Sequence, residues 1–102
     1  MYLVQILIPL YDNQKEPFPS EYYSEIRVML TSKFGGVTAY SNSPATGLWK
    51  ENDEKIVKDK IIIYEVMADD LDRMWWAFFK SHMEKLFQQD EMVIRASQIE
   101  LM

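Results

Sequence analysis

The chain contains no cysteine. Disulfides, thiolate metal sites and cysteine nucleophiles are thereby excluded, and the absence suits a reducing cytoplasm, where we expect the protein to act. Glycine is scarce, with three in 102 residues. Gly35-Gly36 is not followed by the Lys-Ser/Thr of a phosphate-cradling loop, and no Gly-x-Ser-x-Gly nucleophile elbow occurs. Histidine is present once, as His82. A single His without Cys, and without a carboxylate pair at ligand spacing, is poor metal chemistry, so neither a metal nor another cofactor is expected. Basic charge is short as well: 11 Lys and Arg face 16 Asp and Glu, giving a net charge of −5. No basic run occurs, which argues against nucleic acid as a partner. The aromatics that RNA-binding sheets carry within a basic, glycine-bearing motif are also missing. Finally, no apolar run is long enough to cross a bilayer. Residues 1–10 are apolar, but Gln5 interrupts them and neither a basic leader nor a small-residue cleavage site accompanies them. We read them as a strand of the mature protein, with no membrane partner.

What is present is apolar and aromatic. Hydrophobic residues make up 48% of the chain and aromatic ones 14%, enough for a core, and the length suits a single domain over residues 1–102. Residues 2–11 carry apolar side chains on both alternating faces, as a strand covered on both sides does. A polar, proline-bearing connection follows, and Ser20 is placed to cap a helix over residues 21–34. Tyr22, Ile26, Met29, Leu30 and Phe34 share one side of it. Gly35-Gly36 ends it. Alternation resumes at residues 37–41, and turn chemistry at residues 42–59 predicts a long hairpin with an irregular excursion. A second central-looking strand spans residues 60–67. Asp69 and Asp70 are placed to cap a longer helix, on which Leu71, Trp75, Phe78, Phe79, His82, Met83 and Leu86 gather on one arc, with Trp76 and Phe87 at its edge. Gln89-Asp90-Glu91 ends that helix, and residues 92–101 alternate as a last strand.

The order β-α-β-β-α-β predicts a ferredoxin-like α+β sandwich: a four-stranded antiparallel sheet in order 4-1-3-2 with both helices on one face. Applied to the first and third strands, the crossover rule further predicts that these two lie side by side and parallel. The helix-facing set would be Val4, Ile6, Ile8, Val37, Ala39, Ile62, Tyr64, Val66, Ile94 and Ala96. The other face would carry Leu3, Leu7, Ile61, Ile63, Met67, Val93, Ile99 and Leu101, more aliphatic surface than a face open to water should hold. A second copy of the chain is the expected cover, making a homodimeric α+β barrel; the alternative is that the loop around Trp49 folds back over the sheet.

Gln5, Tyr40, Glu65 and Arg95 alternate into that same face. A buried Glu requires a partner, and Arg95 on the fourth strand is the expected one. One reading makes this a ligand pocket, with Arg95 holding an anionic group, Glu65 acting as base or acceptor and Tyr40 orienting the ligand. The other makes it a structural bridge that sets dimer register. His82 is expected as a core histidine bonded to a backbone carbonyl or a Tyr, and the acidic group Asp69, Asp70 and Asp72 as helix capping.

Lys33–Tyr40 (KFGGVTAY), Gly47–Lys50 (GLWK), Tyr64-Glu65-Val66 and Ile94-Arg95 together resemble an uncharacterised family of small bacterial proteins of ferredoxin-like or dimeric α+β-barrel type. The resemblance implies the fold and a bacterial origin and transfers no catalytic residue. The expected function is that of a small cytoplasmic homodimer binding a small anionic molecule between its sheet faces. The alternatives are a cofactor-independent enzyme of the monooxygenase or isomerase kind, or a structural interaction module.

Overall fold

A computed structural model describes residues 1–52 and 55–102, with side chains described outside 41–45, 47, 49–52 and 55–59. Four strands, β1 (Tyr2–Pro9), β2 (Thr38–Asn52), β3 (Lys55–Ala68) and β4 (Ile94–Gln98), form one sheet. Helix α1 (Ser20–Phe34) joins β1 to β2, and α2 (Arg73–Leu86) joins β3 to β4. The spatial order is β2-β3-β1-β4, which is 4-1-3-2 read from the opposite edge.

Every pairing is antiparallel, so the parallel contact expected between the first and third strands does not form. The crossover rule applies to the strands that each helix joins. Here α1 connects β1 to β2 with β3 between them, and α2 connects β3 to β4 with β1 between them. An intervening strand that runs the other way makes all three contacts antiparallel.

The even-numbered residues of β1 and β3 do most of the burying. Val4, Ile6, Ile8, Ile62, Tyr64 and Val66 pack against Ile26 and Leu30 of α1 and Trp76, Phe79 and Met83 of α2, which places both helices on one face. Removing this much aliphatic and aromatic surface from water is the main force holding the layers together. Tyr64 is wholly buried among them, and its hydroxyl is satisfied by a 2.8 Å hydrogen bond from Arg27. Ala39 and Ala96, expected in this set, are exposed, because the helices cover the central strands and the edge strands reach past them.

Local signals at the helix ends are partly corrected. Ser20 is the first residue of α1, which starts after Pro19 without a side-chain cap. At the other end Gly35 takes φ 83°, and its N–H donates to the Thr31 carbonyl. In α2 the capping role belongs to Asp72, whose carboxylate accepts from the Trp75 N–H at 3.1 Å; Asp69 and Asp70 precede it. The arc of α2 that meets the sheet is centred on Trp76, Phe79 and Met83 and runs on into Phe87, rotated from the expected one. Phe87 is fully buried beside Phe18, Tyr22 and Tyr23, whereas Phe78 is 60% exposed. Trp75, His82 and Leu86 lie half-buried, with Phe34 and Trp75 meeting edge to face at 5.2 Å.

The hairpin of β2 and β3 pairs from Thr38↔Glu65 to Asn52↔Lys55, with register shifts after Tyr40 and Lys50. The β1 partner ends at Pro9↔Ile61, so the distal part of the hairpin is a two-stranded extension of the sheet. The stretch around Trp49, the alternative cover for the sheet, is part of this hairpin, with Trp49 paired to Val57, and not a loop; the Trp49 side chain lies outside the described residues. No helix among the described residues is long and apolar enough to cross a membrane.

Candidate functional site

Antiparallel register decides which side chains meet on the face turned away from the helices. Thr38 pairs with Glu65, Glu65 with Gln5, and Gln5 with Arg95, so one row crosses all four strands. Tyr40 lies one step along β2, opposite Ile63. Side chains of a single row project to the same face, and neighbours in it fall within hydrogen-bonding reach.

Arg95, Gln5 and Glu65 of this row are linked by hydrogen bonds, and Tyr40 joins them from one step along β2. Arg95 Nε donates to Gln5 Oε1 at 2.7 Å, and Gln5 Nε2 donates to Glu65 Oε1 at 2.6 Å. Tyr40 Oη donates to Glu65 Oε2 at 3.3 Å. All four residues singled out from the sequence are therefore brought together. The direct Glu65–Arg95 ion pair expected there is not formed, because β1 lies between β3 and β4 and keeps their backbones about 10 Å apart. Gln5 bridges that gap. Its amide oxygen faces the cation and its amide nitrogen faces the carboxylate, the one orientation that satisfies both ends.

The carboxylate marks its neighbour electrostatically. Glu65 beside the Tyr40 hydroxyl holds that phenol above its usual range, through charge first and the shared hydrogen bond second. Ionising Tyr40 would set two negative charges against each other. Glu65 and Gln5 are half-buried, while Tyr40 and Arg95 are exposed. Leu3, Leu7, Ile61 and Ile63 are also half-buried around the row, and Met67 and Val93 are exposed. Chemically, the row offers a guanidinium whose terminal nitrogens have no partner among the described residues, a carboxylate already holding two donors, and a phenol between the carboxylate and solvent.

A groove of about 510 Å³ opens beside the Glu65 end of the row. Gly35, Gly36 and Val37 pass along one side of it, and Glu65, Val66 and Met67 of β3 along the other. Reading the sequence identifies Gly35-Gly36 only as a helix stop and misses this role. A usable signal is present, since one glycine suffices for a left-handed cap and the second is not needed for it.

His82 lies apart from this face. Its Nε2 is 3.0 Å from a Glu25 carboxylate oxygen, bridging α2 to α1 at the surface, with the ring stacked against Phe78. It is thus paired with a carboxylate and half-exposed, in place of the expected core contact with a carbonyl or Tyr. Among the described residues no group of three or more metal-ligating side chains occurs.

No protein-family profile matches the chain, and no curated protein matches it significantly. Two solved structures share its fold. One is a phage SAM lyase in complex with S-methyl-5′-thioadenosine, with a TM-score of 0.64, 9% identity, and coverage of 95% of this chain and 80% of that one. The other is a point mutant of CutA1 from Pyrococcus horikoshii OT3, with a TM-score of 0.59, 13% identity, and coverage of 100% of this chain and 86% of that one. Both likenesses are of fold. They agree with a small α+β protein built on a four-stranded antiparallel sheet and two helices.

Proposed function

We propose that this chain is a homodimeric binding protein for a small anionic molecule, held on the sheet face opposite the helices. The observation that carries the reading is the continuous row Arg95–Gln5–Glu65–Tyr40 set among aliphatic side chains. Arg95 is the anion contact, because its Nε is fixed by Gln5 and its terminal nitrogens, without a partner among the described residues, suit a bidentate pair. Tyr40 orients the ligand, and Glu65 accepts a hydrogen bond from it. The aliphatic residues around the row supply apolar contact to the ligand body and to a second copy of the chain, whose sheet closes the site. The protein works in a reducing cytoplasm.

The test is a thermal-shift screen of small carboxylates and phosphates on wild type and Arg95→Ala, with light scattering to establish the assembly state. Stabilisation of wild type that Arg95→Ala loses supports the reading. A monomer at micromolar concentration, or equal responses from both proteins, sinks it.

A second reading makes the chain a cofactor-independent enzyme. It is favoured by the fold shared with the SAM lyase together with the Tyr40–Glu65 hydrogen bond, a phenol and carboxylate able to hold and pass a proton. Incubation with S-adenosylmethionine and chromatography for S-methyl-5′-thioadenosine checks it. A product level equal to that of a protein-free control rejects it.

A further inference from the structure

We infer that the groove between Gly35-Gly36 and the β3 edge is a binding site for a small organic cation, an ammonium or sulfonium group carried on an apolar body. The groove exists because β2 begins opposite Glu65, which leaves Val66 and Met67 without a β2 partner beside them. The chain leaving α1 crosses that notch. Leu3, Phe34, Val37, Val66 and Met67 line it together with the polar Gly35-Gly36 backbone and Thr38, and among the described residues Glu65, whose carboxylate also accepts from Gln5 and Tyr40, is the only charged residue lining it. An acidic residue beside a groove of mixed apolar and polar lining favours a ligand that brings both apolar surface and positive charge.

Two further features point to the same sign of charge. The C-terminal end of α1 contributes Phe34 and Gly35 to the lining, and a helix C-terminus carries partial negative charge. The cations nearest in sequence are turned elsewhere: Lys33 lies 3.7 Å from Asp72 and over the Trp75 ring, and Arg27 is bonded to Tyr64 and Ser24. Gly36 completes the case. It does not take a left-handed φ, and a Cβ there would meet nothing within 4 Å. Neither its backbone nor its neighbours require glycine, so what its missing side chain leaves is open space at the rim. The site shares Glu65 with the sheet-face row but makes no use of the anion contact at Arg95.

The experiment is a ¹H–¹⁵N titration with phenethylammonium, in parallel with the neutral 3-phenylpropan-1-ol and the anionic 3-phenylpropionate. Saturable shifts of the Gly35, Gly36 and Thr38 amides are expected with the ammonium. Binding should be roughly tenfold weaker for the alcohol, in line with one charge-assisted contact. Glu65→Gln should erase that difference while retaining an acceptor for Tyr40. Gly36→Leu, which fills the rim, should abolish the shifts while leaving the circular dichroism unchanged. Unmoved amides, equal affinity for ammonium and alcohol, or an unaltered ammonium titration in both variants would overturn the inference. Arg95→Ala should leave the ammonium titration intact. If the ammonium binds here while the carboxylate and phosphate screen shows no ligand that depends on Arg95, only the anion-site reading is lost.

Discussion

Replacing Phe87 by Ala should cost far more stability than replacing Phe78 by Ala, although helical periodicity alone ranks them the other way. Phe87 is fully buried and meets Phe18 at 5.0 Å, Tyr22 at 5.7 Å and Tyr23 at 5.4 Å. Its truncation removes the whole ring from the core and leaves a cavity among three rings anchored on two other segments, a change that costs about 3–5 kcal/mol. Phe78 is 60% exposed, so only about two-fifths of its surface is withdrawn from water. At ~25 cal/mol per Å² and a ring of roughly 200 Å², the loss is at most ~2 kcal/mol. Ala retains part of that contact and is the better helix former, which brings the net cost to about 1 kcal/mol. The two variants should therefore differ by roughly 3 kcal/mol. Urea unfolding followed by circular dichroism, at one protein concentration, resolves this gap. With a slope of about 1.5 kcal/mol/M the midpoints should lie roughly 2 M apart. A Phe78→Ala midpoint at or below that of Phe87→Ala would refute the placement of α2 on the sheet.

Gly35 and Gly36 should respond differently to Ala. At φ 83° an L side chain at position 35 costs about 1–2 kcal/mol and lowers the melting temperature by roughly 5–10 °C, whereas Gly36→Ala should be neutral or slightly stabilising; equal shifts in thermal melts would argue against the left-handed cap. Tyr23 supplies a test with pH. Burial first, then the Tyr64 and Tyr11 phenols, push its pKa from the ordinary 10.0 up to about 12, and its hydroxyl donates to the Pro9 carbonyl at 2.7 Å. A raised pKa means that the folded state holds the proton more tightly. The resulting stability is full below pH 10 and is lost as pH climbs towards 12. Urea midpoints should show the advantage of wild type over Tyr23→Phe shrinking across that window, and a constant gap would exclude the coupling.

Much of the candidate site is legible in the sequence. Strand alternation has a period of two, so placing Gln5, Tyr40, Glu65 and Arg95 on one face requires only that no bulge fall between the core strands and these positions. The register shift in β2 begins after Tyr40, beyond the last of them on that strand. What alternation does not carry is the order of contact across the row. Glu65 and Arg95 have opposite charges, but Gln5 is what stands between them, and that follows from β1 lying between β3 and β4. The groove beside Glu65 is illegible for a related reason. It is formed by the point at which β2 begins relative to β3, a register that no local pattern specifies.

Local chemistry by itself determined the sequence of elements, the left-handed stop at Gly35 and the apolar strands, because propensity, capping and alternation act over a few residues. Only the tertiary structure decided the rest. It rotated the buried arc of α2 towards Trp76 and Phe87, moved the cap from Asp69 or Asp70 to Asp72, and drew His82 to Glu25 on the other helix. The arc, the cap and the His82 contact depend on where α2 comes down on the sheet and on what its neighbours already fill. Packing settles that globally: Phe18 and the start of α1 surround Phe87, and the arc of α2 that meets them and the sheet is the one that is buried.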